Sequence, residues 1–106
     1  MLPNDHARKT RVSALLSAYR SGLFPMGEAR ESPEIYWVNP DFRGIIPLTQ
    51  GAPVRSLRRA LRDNSYAITI DTNFNRVIEM CAEITPNRPE SWINAEIIKC
   101  YTDVHT

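Results

Sequence analysis

Four arginines fall within one octapeptide, Arg55-Ser56-Leu57-Arg58-Arg59-Ala60-Leu61-Arg62, in a chain of 106 residues whose formal net charge is only +1. Positions 55, 58, 59 and 62 keep the i, i+3, i+4, i+7 spacing of one helix face. The guanidinium is planar, stays charged and presents a fork of donors that matches phosphate or carboxylate. No Glu stands at i±4 to neutralise the stripe, so anion binding and a plain solvated helix face are both open readings. Val54, Leu57 and Leu61 repeat on the other side and predict a buried apolar edge. Asp63-Asn64 supplies the turn chemistry that ends the segment.

Other reactive constellations are missing from the sequence. It contains no Gly-rich phosphate loop, no Gly-x-Ser-x-Gly elbow and no His-Glu-x-x-His. The carboxylates are scattered, and no pair is spaced for acid and base roles. His6 and His105 lie near the two ends, and Cys81 and Cys100 belong to no Cys-x-x-Cys unit, so no metal site is expected. Each cysteine sits in a helical pattern and reads as a reduced core residue. Trp37 and Trp92 each stand beside a loop. Aromatic faces next to arginines are how proteins stack unpaired bases while holding phosphates, although for either tryptophan alone a core or rim residue is the favoured reading.

The elements that must carry these groups follow from periodicity. Val12, Leu15, Leu16 and Tyr19 predict a helix over 11–21 with Thr10 as its cap and Gly22 just past its end. Leu23-Phe24-Pro25-Met26-Gly27 reads as an apolar hook, because Pro25 cannot extend the helix and biases Phe24 to an extended backbone. Ile35-Tyr36-Trp37-Val38 and Arg43 to Leu48 predict short strands, the second at an edge because of Pro47. The run Tyr66 to Ile70 predicts a third strand. Asp71 or Thr72 would cap a helix through Phe74, Val77, Ile78 and Cys81, and Asn94 would cap a last helix with Ile97, Ile98 and Tyr101 on its apolar side. The order αββαβαα predicts an α+β class, a small mixed sheet with helices on one face. Apolar residues make up 42% and charged residues 24% of the chain, values of an ordinary globular domain. Nothing approaches the ~20 apolar residues of a membrane span, and a cytoplasmic location is expected.

The same segments resemble a known family. Ala18 to Met26 (AYRSGLFPM) is similar to the AYxxGxFPM signature of leucyl/phenylalanyl-tRNA protein transferases, and Trp37 to Arg43 (WVNPDFR) to their WWSPxxR stretch, with Val38 and Asn39 as departures. Arg55 to Arg62 matches their RSLRRxLR helix, and Ala52-Pro53-Val54 departs from its usual Ser-containing entry. Asp71 to Ala82 follows DxxFxxVIxxCA, and Ser91-Trp92-Ile93 with Tyr101 and His105 follows TWI…AY..LH.

The resemblance implies an aminoacyltransferase that moves Leu or Phe from aminoacyl-tRNA to the N-terminal Lys or Arg of acceptor proteins, tagging them as N-degrons. It implies no metal and no organic cofactor, and neither DNA nor membrane as a partner. It also implies an N-terminal α+β domain over 1–53, followed over 54–106 by the first elements of an acetyltransferase-like (GNAT) domain. Arg55, Arg58, Arg59 and Arg62 would contact phosphates of the acceptor arm. Trp92 and Met26 would flank the terminal adenosine. The family's AHSVE and GGLYG segments and its catalytic residues find no match, so the chain is expected to be a truncated piece, inactive alone and prone to self-association through faces left without a partner. The alternatives are a non-catalytic tRNA-binding module and a degenerate fragment.

Overall fold

The computed structural model of the chain describes residues 3–51 and 53–106. In chain order it contains α1 (Pro3–Arg20), β1 (Phe24–Gly27), β2 (Ile35–Val38), a 3-10 turn (Leu48–Gln50), α2 (Arg55–Arg62), α3 (Phe74–Ala82) and α4 (Ala95–His105). The class is α+β, as the periodicity predicts. Contacts divide the chain into two compact units, Met1–Pro40 joined with Asn73–Thr106, and Asp41–Thr72.

In the first unit α1 ends as the sequence requires. Gly22 takes φ 83°, Leu23 N–H reaches Ala18 O at 2.9 Å and Gly22 N–H reaches Tyr19 O at 3.0 Å. That is the paired 6→1 and 5→2 closure of a Schellman end, which a residue with a Cβ would strain. Its start is earlier than the apolar spacing predicts, with Asp5 in the first turn. Thr10 is therefore no cap; its hydroxyl donates to His6 O at 3.0 Å from within the helix. The apolar hook forms a strand over Phe24–Gly27. β1 and β2 pair antiparallel, with Pro25 opposite Trp37 and Gly27 opposite Ile35.

The core of this unit comprises Ile78 and Ala82 of α3 with Ile93 and Ile97, and Ile35, Phe74, Ile98 and Tyr101 pack against it. Pro25 and Gly27 are buried on the same strand face as Ile35, so that face turns to the helices. Helix α1 is fastened to α4 by Arg11, whose Nη2 lies 3.0 Å from Asp103 Oδ2, and by Arg8 at 3.9 Å from Asp103 Oδ1. The Tyr19 and Tyr101 hydroxyls share a hydrogen bond, with the rings edge-on at 6.3 Å. Burial, then this bond, raises the Tyr101 pKa above its ordinary value; burial and the Glu96 carboxylate do the same for Cys100. Helix α3 starts after Asn73 without a side-chain cap, not from Asp71 or Thr72, because Asp71 has φ 55° and turns the chain first. Cys81 is exposed on α3, not a core residue.

In the second unit every described residue is exposed. Residues 43–48 and 66–70 form no strand. Their composition suits a pleated, half-buried surface, but a strand exists only against a ladder partner, and the one sheet among the described residues pairs β1 with β2. Ile46 is 87% exposed and Ile70 82%. The apolar edge of α2 is likewise uncovered rather than buried, with Val54 at 70% and Leu57 and Leu61 at 49%.

Candidate nucleic-acid interface

The arginine helix forms where spacing puts it, over Arg55–Arg62. Val54 offers no side-chain cap, as the Ala52-Pro53-Val54 entry implies. Asp63 N–H closes on Arg59 O at 3.0 Å, and Asn64 turns at φ 50°. Arg59 and Arg62 stand in the last turn, where cations meet the negative end of the helix dipole. None of the four arginines takes part in the ion pairs found among the described residues.

Two open hollows flank the helix. One, of ≈ 580 Å³, is lined by Arg55, Arg58, Leu61 and Arg62. The other, of ≈ 620 Å³, holds Arg55, Arg59, Asp63 and Ser65 among its lining. Arg55 borders both. The first carries only cations and apolar carbons, and the second mixes cation, carboxylate and hydroxyl. The arrangement therefore suits an anion more strongly on the side of Arg58 and Arg62.

Met26 and Trp92 belong to the first unit. The Gly27 amide donates to Trp92 O at 2.7 Å, so these two positions sit one residue apart across a single hydrogen bond. Met26 shares the outer face of the β1–β2 pair with Tyr36, which is 49% exposed. Trp92 is 42% exposed and Trp37 46%, available to solvent on part of each ring. Gly27 has no room for a side chain, because a Cβ there would lie 2.5 Å from Asn94 Nδ2 and 2.7 Å from Trp92 O.

Periodicity marks Asn94 only as a helix cap and carries no sign of this crossing. A glycine inside a short strand is the one available signal, since it marks a close backbone approach.

A family model described as leucyl/phenylalanyl-tRNA protein transferase matches residues 45–106. A second, described as the N-terminal domain of the same transferase, matches residues 11–41. The chain belongs to the leucyl/phenylalanyl-tRNA protein transferase family. A protein of that name from Rhodospirillum rubrum is 48% identical over 90 residues, covering 85% of this chain and 42% of its own length. A namesake from Maricaulis maris is 47% identical over 91 residues, with 86% and 42% covered. Another from Zymomonas mobilis is 46% identical over 91 residues, with 86% and 34% covered. The chain thus spans 34% to 42% of the length of these transferases. No solved structure matches it. Among the described residues no helix is long and apolar enough to cross a membrane.

Proposed function

We propose that this chain is the donor-receiving part of a leucyl/phenylalanyl-tRNA protein transferase. In that role Arg55, Arg58, Arg59 and Arg62 hold phosphates of the acceptor arm, while Trp92 and Met26 flank the terminal adenosine. The observation that carries the reading is the one-sided cationic face of α2, exposed and without ion-pair partners among the described residues, in a chain of this family. Such contacts fix the RNA's register without reading its sequence.

The reaction proposed for the whole transferase joins Leu or Phe to an N-terminal Lys or Arg of an acceptor protein in the cytoplasm, marking it for degradation. The acceptor's free amine attacks the aminoacyl ester, the bond to the terminal ribose oxygen breaks, an amide forms, and the proton returns to that oxygen. Positioning ester against amine provides much of the acceleration in reactions of this kind. The residues named here act on the donor RNA alone, so the 106-residue chain by itself is expected to transfer nothing, with the segment after position 53 beginning the transferase domain. Its uncovered apolar residues, Ile45, Ile46, Ile68 and Ile70 among them, are expected to promote self-association.

Titrating aminoacyl-tRNA against salt tests the reading. The logarithm of affinity should fall by about 0.7 to 0.9 per neutralised phosphate for each tenfold rise in salt. Combining Arg58→Ala with Arg59→Ala should make that slope shallower by about 1.4 to 1.8. An unchanged slope would remove the arginine face from the reading. Labelled Leu appearing on an Arg-starting peptide would instead show that the chain completes the reaction.

A further inference from the structure

Asn94 does more than cap α4. It is completely buried, and its carbonyl oxygen and both amide protons are hydrogen-bonded. Oδ1 accepts from Ile97 N–H at 3.0 Å, the capping contact. Nδ2 donates to Ser32 O at 2.9 Å and to Glu34 O at 3.0 Å, sixty residues away in the loop between β1 and β2. The same amide is the wall against which Gly27 packs, while the Gly27 amide holds Trp92 O. Three residues before Asn94, the hydroxyl of buried Ser91 accepts from Ile93 N–H at 3.1 Å. The backbone around Trp92 is thus held at its own carbonyl by the Gly27 amide, at the Ile93 N–H by Ser91, and two residues after Trp92 by the Asn94 side chain.

Helix capping alone does not require asparagine here. Ser or Asp caps as well, but neither can accept one hydrogen bond and donate two at one place. Asp would add a buried charge facing two carbonyls.

Resting on the reading of Trp92 and Met26 as the adenosine site, we propose that Asn94 is a positioning residue for that site. It locks the β1–β2 loop, Gly27 and the Trp92 backbone into one junction, so that residues 26 and 92 present fixed faces to a nucleobase. The ligand touches Trp92 and Met26, and Asn94 acts through them.

Asn94→Ser keeps a cap and removes both donors to the loop. Studied in the Trp37→Phe chain, where Trp92 is the only indole, it should leave the far-ultraviolet circular dichroism of the helices in place. Acrylamide quenching of Trp92 should rise about twofold. Binding of a cytidine-cytidine-adenosine trinucleotide should weaken about threefold or more, the size of one lost hydrogen bond. The salt slope for full tRNA should stay as it is, because the arginines are untouched. Unaltered quenching and trinucleotide affinity at intact helix content would overturn the proposal. If the Asn94 chain binds no trinucleotide, the adenosine reading fails, and the quenching result alone decides whether Asn94 orders Trp92. Should the variant not fold, hydrogen exchange in the unsubstituted chain decides. The Gly27 amide and both Asn94 side-chain amide protons must be protected, and rapid exchange of these three would refute the junction.

Discussion

Residues that surround Ile97 and residues that surround Leu57 belong to helices of similar amphipathic pattern, yet they live in opposite environments. Ile97 on α4 is 1% exposed inside a cluster fed by α3, Ile93 and β2, whereas Leu57 on α2 stays 49% exposed and α2 buries nothing. Both sequences state an apolar stripe. Only one stripe has met a partner, and the contrast separates helical patterning, which is local, from burial, which is not. An isolated helix of eight residues is marginal in water. Helix α2 has no buried residue of its own to hold it.

Truncating Ile97 and Leu57 tests that contrast most directly. Ile97→Ala should destabilise the first unit by about 2 to 4 kcal/mol through lost burial and a cavity, read as a lower urea midpoint. Next in size is Gly27→Ala, where the added methyl must displace Asn94 or the Trp92 carbonyl at a cost of about 1 to 3 kcal/mol, in the same measurement. A wild-type midpoint would show that the crossing of β1 and the 91–94 segment is loose.

A pH dependence comes third. Tyr101 and Cys100 both have raised pKa values in the folded chain, chiefly from burial. Folding therefore favours their neutral forms. The contribution is complete below their ordinary values of 10.0 and 9.0 and is lost as pH climbs above them toward the folded values. Thermal melts from pH 8 to pH 11 should show a falling midpoint, and Tyr101→Phe should reduce the fall. The smallest effect belongs to Leu57→Ala, expected within about 0.5 kcal/mol because the side chain is half in water. A larger loss would reveal that the edge of α2 is covered in solution.

Much of the candidate site was legible because it is local. The four arginines share a face by spacing alone, Asn64 supplies the turn after α2, and Gly22 and Asn94 close helices through hydrogen bonds spanning a few residues. Local pattern and structure part where a partner distant in sequence decides. Tyr66 to Ile70 has the composition of a strand and no ladder to join. Phe24 to Gly27 contains a proline that argues against a strand, yet it pairs with Ile35–Val38, since an edge position spares Pro25 the amide it lacks. Cys81 follows an apolar repeat, but the core lies on the Ile78 and Ala82 side of α3.

Which residues share a face of a helix, where α1 and α2 stop and α4 starts, and which family the chain resembles all follow from neighbours within a turn or from motif order. Only the tertiary structure decided which apolar stripe is buried, which extended run becomes a strand, and that Gly27, Trp92 and Asn94 meet. The physical reason is that burial and backbone pairing are satisfied between surfaces, and periodicity describes one surface at a time.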